Sequence, residues 1–320
     1  MFPIPVLLLL ALPAAGKSEI RRYLEHVDPG LAPLPLGTTI QLDDYPYVHV
    51  MRRISEEQRH LGIEPVFFTS EESSFRDPRD WLTLIHLVDD DFGALSEPGP
   101  ADPDPVALID RIDAARHRAG IHAPALPSAF SEVAAAIADD ATDLAAGLPR
   151  GQGADLASST VIIEFARGGP EGASPPLPDP LGYRSSLAAL SPSILERAAI
   201  LYVWVTPDES LRRNRERAVV GSEGDASILH HGVPESVMRD DYGMDDMDWL
   251  ERTSPVPGTV AVDSPHGGFG LPVARFDNRA DRTSFLREDP SRWAPERIAA
   301  LHADLASALG RIDDAPPSPG

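Results

Sequence analysis

The residue of this chain most suited to chemistry is its single lysine. Lys17 is the only lysine among 320 residues, so the other cationic residues in the total of 28 Lys and Arg are arginines. It lies between Gly16 and Ser18, shortly after the apolar run Val6–Leu10. In a phosphate-binding loop the glycine lets the backbone approach phosphate, the ammonium group lies between the β and γ phosphates, and the hydroxyl binds Mg²⁺. Because a planar guanidinium fits that position poorly, the one retained lysine predicts such a loop.

The loop departs from the full pattern at one position. The pattern G-x-x-x-x-G-K-[ST] requires glycine at position 11, where this chain has Ala11. Alanine can replace that glycine only if the residue keeps a negative φ. The alternative is a chance Gly-Lys-Ser in a turn. We expect the nucleotide to contact the end of the loop and the start of the following helix, at Ala14, Ala15, Gly16, Lys17, Ser18 and Glu19.

Carboxylates follow two other apolar segments that are typical of buried strands. Asp43 and Asp44 follow residues 38–42, and Glu164 ends the segment that begins at Thr160. A hydroxyl that attacks a γ-phosphoryl group needs a nearby carboxylate to accept its proton. We therefore expect Asp43 to be the base, with Asp44 as its substitute. Glu164 is expected to face Mg²⁺ or the nucleophile. For the aspartate pair, an Asx turn or a helix cap is the alternative.

Arginines occur at two further places. Arg167 comes three residues after Glu164, and a helix expected to begin near Glu209 carries four more. Arg213 and Arg217 share one face of that helix by the i, i+4 rule, so they are candidates to offset phosphoryl charge. The alternatives are a structural salt bridge between Glu164 and Arg167 and a solvated basic face for the helix. The helix cluster consists of Arg212, Arg213, Arg215 and Arg217.

Together these places resemble the P-loop kinases of the nucleoside and nucleotide kinase type. Leu42-Asp43-Asp44-Tyr45 is similar to the Asp-Asp-Phe-Tyr segment of uridine-kinase-like enzymes, in which an aspartate faces the acceptor hydroxyl. Glu164 stands where that family has aspartate. Arg167 resembles the family's arginine that binds an acceptor phosphate, although Phe165-Ala166 differs from the usual Gly-Phe-Pro. The resemblance implies a three-layer P-loop nucleoside triphosphate hydrolase fold, ATP and Mg²⁺, a small-molecule acceptor, and a lid arginine that closes over the phosphoryl group.

The order of expected elements indicates an α/β fold with a mainly parallel central sheet. Strand, loop and helix follow one another over residues 6–24. Residues 1–68 and 159–312 should form the nucleotide-binding core, residues 69–158 a helical insertion that shapes the acceptor site, and residues 313–320 a disordered tail. Finer expectations are a short strand at 66–68, a helix over 128–148, a mobile lid at 221–224 and a flexible turn at 267–270.

Composition limits the class of partner. A net charge of −22 at pH 7 disfavours general binding to nucleic acid or to an anionic membrane, because phosphates would be repelled over most of the surface. The chain has no cysteine, which excludes disulfides and thiolate metal sites and fits a cytoplasmic protein. No apolar stretch has the length of a membrane span. The pair His230-His231 is expected to lie in an ordinary loop, because the sequence has no third metal ligand at a spacing typical of a metal site.

The N-terminal segment has a second interpretation. Residues 1–16 contain an apolar core followed by small residues, as a secretory leader does, but no Lys or Arg precedes Lys17.

Taken together, the motifs lead us to expect an ATP- and Mg²⁺-dependent phosphotransferase that acts on a small hydroxylated or nucleotide-like acceptor. The alternatives are a nucleotide-binding regulatory module with little turnover, a polynucleotide end-kinase, and a secreted protein with a leader.

Overall fold

A six-stranded sheet lies at the centre of the structure, a computed structural model that describes residues 3–28, 30–126, 128–150, 155–219 and 232–313. The strands are β1 (Val6–Leu10), β2 (Thr38–Asp43), β3 (Ser159–Phe165), β4 (Ala198–Trp204), β5 (Thr259–Ser264) and β6 (Gly267–Asp277). Their order across the sheet is β2-β3-β1-β4-β6-β5. Neighbouring strands are parallel except β5 and β6, which are antiparallel. The fold class is therefore α/β with a mainly parallel sheet.

Helices connect and cover these strands. They are α1 (Lys17–Leu24), α2 (Tyr45–His60), α3 (Asp80–Ala94), α4 (Pro105–Arg118), α5 (Phe130–Ala136), α6 (Ala138–Gly147), α7 (Gly182–Ala188), α8 (Pro192–Leu195), α9 (Pro207–Val219), α10 (Glu235–Asp240), α11 (Met247–Thr253) and α12 (Pro295–Asp313). Short 3₁₀ turns at Ser284–Arg287 and Pro290–Arg292 precede α12.

The helices that follow β1 and β3 pack on opposite faces of the sheet. On one face, Leu9 of β1 belongs to an apolar cluster with Ile20 of α1 and Leu305 of α12. On the other face, Leu8 of β1 belongs to a cluster with Tyr183 of α7. Every residue of β1 and β3 is buried, because successive side chains of these central strands enter the two clusters in turn. Their continuous apolar runs follow from this two-sided burial.

A third apolar cluster lies next to the loops that follow β1 and β3. Leu12 and the partly buried Ala166, from these two loops, pack there with residues of α2, α4, α5 and α10. Helix α3 joins this cluster to the sheet: Leu84 enters the third cluster, whereas Ile85 packs with the sheet. Helix α3 therefore connects the other helices within residues 69–158 to the sheet.

Three finer expectations were wrong. Residues 66–68 form no strand, because Ser55 Oγ accepts the backbone N–H groups of Phe67 and Phe68 and the segment makes only an isolated bridge to Phe75. The expected helix over 128–148 is two helices that meet at Ile137. Residues 267–270 are the first residues of β6 rather than a flexible turn, because they pair with the edge strand β5.

Within the described ranges, no helix is both long enough and apolar enough to cross a lipid bilayer.

Candidate functional site

The loops after β1 and β3 open onto one cavity. Since α1 and α7 leave neighbouring strands toward opposite faces, a crevice forms at the carboxyl ends of those strands, the usual ligand position in open α/β sheets. The cavity has a volume of about 200 Å³. Residues 12–18, Asp43, Asp44 and Glu164 line it together with side chains from the third apolar cluster. The fold therefore places the loop and all three candidate carboxylates around one space.

The loop at residues 11–18 has the backbone conformation that its sequence requires. Ala11 is not among the positive-φ residues, which is the condition under which alanine can replace the missing glycine. Gly16 has φ 112°, a value that residues with a side chain rarely adopt. A Cβ at Gly16 would also lie 2.5 Å from both Asn278 Nδ2 and Thr283 Oγ1. Ala14, at φ 55°, occupies a left-handed conformation without glycine.

Three polar side chains from later parts of the chain hold the loop from outside. Asn278 Nδ2 donates a hydrogen bond to the Ala15 carbonyl at 2.6 Å, and Ser210 Oγ donates to the Pro13 carbonyl at 2.7 Å. Arg213 Nη2 donates in turn to the Asn278 carbonyl at 2.6 Å. Asn278 is completely buried. These bonds fix two carbonyl groups of the loop in place, and the Ala15 amide donates within the loop to the Leu12 carbonyl at 3.3 Å.

Lys17 begins α1 at the edge of the cavity. Its ammonium nitrogen donates a hydrogen bond to the Ala11 carbonyl at 3.1 Å, which folds the side chain back over the loop. The first turn of a helix directs its amide groups outward and carries a partial positive charge, so it binds anions well. The ammonium group and the helix end therefore present positive charge to the same end of the cavity.

Two carboxylates lie side by side opposite Lys17. Asp43 of β2 and Glu164 of β3 are register partners on adjacent parallel strands. Arg21 Nη1 lies 3.2 Å from Asp43 Oδ2 and 3.5 Å from Glu164 Oε2, and Ser18 Oγ donates to Glu164 Oε1 at 3.3 Å. Burial raises the pKa of Glu164 to about 7, and the charge of Asp43 adds to the shift. Glu164 is therefore a carboxyl group that a nearby cation would readily ionise.

The Ser18 and Glu164 pair suits a magnesium ion. Glu164 Oε2 is buried and has no hydrogen-bond partner, and the hydroxyl next to it is a second oxygen ligand. Mg²⁺ prefers oxygen ligands and is commonly held by one or two carboxylates together with phosphate oxygens and water. Within the residues that the structure covers, no group of three or more His, Asp or Glu side chains forms a metal site by itself. The donor set fits Mg²⁺ that arrives with phosphates.

Asp44 and Arg167 form a buried ion pair beside the cavity. Arg167 Nη1 lies 2.6 Å from Asp44 Oδ2 and also donates to the Ala166 carbonyl, while Nη2 donates to the Trp81 carbonyl at 3.1 Å. Burial raises the pKa of Asp44, against the opposing charge of Arg167. Asp44 lines the cavity, but Arg167 does not. Arg167 therefore forms its ion pair with Asp44, whereas Glu164, the partner considered from the sequence, lies against Arg21.

Of the α9 arginines whose side chains the structure describes, Arg212, Arg213 and Arg215, none is on the cavity wall. Arg213 is buried and bonds to Glu209 and to the Asn278 carbonyl, so in this structure it supports the loop from behind. Arg212 and Arg215 are paired with glutamates at the surface. The backbone of Arg217 belongs to α9, but its side chain lies outside the described part of the chain. The expected lid at 221–224, the pair His230-His231 and residues 314–320 lie outside it as well.

Sequence reasoning missed the residues at the far end of the cavity. Arg52 and Asp241 line this end together with the aromatic residues Phe68, Phe75, Trp81 and Tyr242. One signal was available: Tyr45, Val48 and Arg52 line the cavity from α2 at the spacing i, i+3, i+7 of one helix face. The sequence marks Asp241 only as part of an acidic run that predicts a solvated face, which is wrong because Asp241 is buried, and nothing marks Asn278. Both residues reach the site through tertiary packing.

Comparison with known proteins adds no family assignment. No family model matches the chain, and no curated protein matches it significantly. What the site can bind therefore follows from its own residues.

Proposed function

We propose that this protein is an ATP- and Mg²⁺-dependent phosphotransferase of the P-loop kinase type that acts on a small hydroxylated acceptor. The observation that carries the proposal is the contact between Ser18 and Glu164 beside Lys17. A lysine, a hydroxyl and a buried carboxylate meet at the start of a helix that follows the central strand β1. A nucleoside triphosphate with its metal needs these three groups.

Each group has a role in holding the nucleotide. Lys17 and the first turn of α1 would neutralise phosphate charge, and Ser18 with Glu164 would hold Mg²⁺. Gly16 lets the loop pack closely against Asn278 and Thr283, because a Cβ there would lie 2.5 Å from a side-chain atom of each. Bound MgATP supplies the γ-phosphoryl group. Asn278 and Arg213 keep the loop in one conformation, so that little reorganisation is needed on binding.

Asp43 is the group best placed to accept the acceptor's proton. All three carboxylates line the cavity, but Asp44 is held in a buried ion pair with Arg167 at 2.6 Å and Glu164 lies next to Ser18. Asp43 is the most exposed of the three, and its ion pair with Arg21 is longer, at 3.2 Å. In the reaction, the acceptor oxygen forms a bond to the γ-phosphorus, and the bond from that phosphorus to the β–γ bridging oxygen breaks. The hydroxyl proton passes to Asp43, and ADP leaves with the electron pair of the broken bond.

Transfer can be tested directly. The protein is incubated with ATP, MgCl₂ and single hydroxyl compounds, and both ADP and a mass increase of one phosphate on the compound are followed. We expect an acceptor-dependent rate that disappears in Lys17→Ala. Nucleotide binding without turnover in any mixture would favour the regulatory module instead. The cytoplasmic location expected from the sequence agrees with this proposal, because the proposed reaction consumes ATP.

A further inference from the structure

The cavity has a second end, away from the Lys17 loop, which we call the acceptor end. The name refers to Arg52, Phe68, Phe75, Trp81, Asp241 and Tyr242, all of which line the cavity. The aromatic rings contact one another: Phe68 and Phe75 lie 4.4 Å apart between centroids, and Phe75 meets Trp81 edge-on at 4.9 Å. These rings form a continuous apolar wall against which a flat ring of a ligand can pack.

Among the residues that the structure describes, no cation at this end is placed to hold an acceptor phosphate. Arg167, the arginine expected to do so, has both terminal nitrogens bonded to Asp44 and to backbone carbonyls, and only 2% of it is exposed. Arg52 lines the cavity, but its guanidinium lies 4.1 Å above the ring of Phe68 and donates to the Glu71 carbonyl. Asp44 and Asp241 add carboxylates to the lining. A phosphorylated acceptor would therefore meet negative charge without a matching cation.

Asp241 instead presents an unused acceptor of hydrogen bonds. It is more than nine-tenths buried, and its Oδ2 has no hydrogen-bond partner. The hydroxyl of Ser74 lies close enough to lower the pKa of Asp241 by a hydrogen bond, although neither this hydroxyl nor Asp241 Oδ2 has a partner at full hydrogen-bonding geometry. Asp241 and Arg52 both line the cavity, and the charge of Arg52 lowers the pKa of Asp241 only in part against its burial. Leaving a buried carboxylate oxygen unpaired costs free energy, which a donor on a ligand would recover.

We infer that the acceptor end takes an unphosphorylated hydroxyl compound with a flat ring, whose N–H or O–H group at the ring edge donates to Asp241. The inference rests on the proposed function, because it concerns the second substrate of that reaction. Asp241 is a residue that determines specificity: it selects for the donor on the ring and against anionic acceptors. The ring packs on the aromatic wall, and the hydroxyl of the compound faces Asp43.

The test uses matched pairs of compounds with and without phosphate. Binding of adenosine and AMP, cytidine and CMP, and pyridoxine and pyridoxine 5′-phosphate is measured by ligand-observed NMR. The full chain is saturated with the non-hydrolysable analogue AMP-PNP and Mg²⁺. We expect at least one unphosphorylated member to bind, and its phosphorylated partner to bind at least tenfold more weakly. Asp241→Asn should weaken the unphosphorylated compound about tenfold, which corresponds to about 1.4 kcal/mol.

Asp240→Asn is the matched control, because it removes an exposed carboxylate one residue away. It should leave both affinities unchanged. Tighter binding of the phosphorylated members, no binding of any unphosphorylated member, or an unchanged affinity in Asp241→Asn would each overturn the inference. AMP-PNP binding is measured first in the same samples. Its absence would instead remove the proposed function, so the two failures are distinguishable.

Discussion

Ser18 Oγ lies 3.3 Å from Glu164 Oε1, although 146 positions separate the two residues in the chain. The contact exists because β3 pairs with β1 in parallel, so the loop after one strand meets the last residues of the other. Glu164 stands in register with Leu9, near the end of β1. The two proposed metal ligands, Ser18 and Glu164, therefore depend on this one strand pairing to meet.

Glu164→Gln should separate metal binding from folding. The amide keeps the shape of the carboxyl group but removes its negative charge, so the affinity for Mg²⁺ in the presence of nucleotide should fall by about 10- to 100-fold. Nucleotide binding in EDTA should change little. Titration of Mg²⁺ against AMP-PNP-bound protein measures the effect. Equal Mg²⁺ affinity in the variant and the wild type would remove Glu164 from the metal site.

Gly16→Ala and Ala14→Gly should have different effects on stability. Alanine at position 16 would be strained at φ 112° and would place Cβ 2.5 Å from two side-chain atoms, so we expect a loss of about 2 kcal/mol or more in the free energy of unfolding. Ala14 already has a positive φ of 55°, so glycine there relieves strain and should be neutral or slightly stabilising. Urea unfolding of both variants checks this. A similar loss in both would contradict the loop geometry.

Arg167→Ala should be strongly destabilising. The substitution leaves Asp44 buried without its cation, and breaking such a pair typically costs about 3–5 kcal/mol. Arg212→Ala is the control, because Arg212 is exposed and its ion pairs are at the surface. The urea midpoint should fall sharply in the first variant and stay unchanged in the second. Equal midpoints would mean that the pair contributes nothing to folding.

Asp241→Asn should change how stability depends on pH. Burial raises the pKa of Asp241 from 3.8 to about 6, so the folded protein retains this proton over a pH range in which the unfolded chain has lost it. The resulting cost to stability is absent below about pH 4, grows between pH 4 and 6, and is complete above that. The variant should therefore be more stable than the wild type by roughly 1–3 kcal/mol at pH 7.5 and equal to it near pH 4. Urea unfolding across this range measures the difference, and parallel profiles would show that the Asp241 charge is not buried.

The sequence was sufficient to predict the candidate site residues that lie at or just after the ends of the strands. Lys17, Asp43 and Glu164 each follow or end an apolar run, and parallel strands bring such positions to one edge of the sheet. The α/β fold follows from the same runs. The sequence singled out Asp43 and Glu164 separately, and the pairing of β2 with β3 in the structure is what brings them side by side.

The remaining site residues depend on tertiary contacts that no local pattern encodes. Asn278 reaches the loop over 263 positions, and only its position after β6 brings it near Ala15. Asp241 becomes a buried carboxylate because it caps α10 against the third apolar cluster. The expected strand at 66–68 was wrong for a related reason: the Ser55 side chain replaces a neighbouring strand as hydrogen-bond partner.

Lys17→Arg tests whether a positive charge at position 17 is sufficient for nucleotide binding. Arginine retains the positive charge, but its planar guanidinium does not fit where a compact ammonium group binds, so nucleotide affinity should fall at least tenfold. The free energy of unfolding without nucleotide should stay close to that of the wild type. Wild-type affinity in Lys17→Arg would show that any cation at this position suffices.

Isothermal titration of AMP-PNP with Mg²⁺ into the wild type and into Lys17→Ala is the most direct measurement of nucleotide binding at residues 11–18. We predict that the wild type binds and that Lys17→Ala, shown to be folded by its urea transition, binds at least tenfold more weakly. At about 100 times its Kd, the nucleotide should also stabilise the wild type by roughly 2.7 kcal/mol. No binding to the wild type, or equal affinity in the two proteins, would contradict the assignment of a phosphate-binding loop.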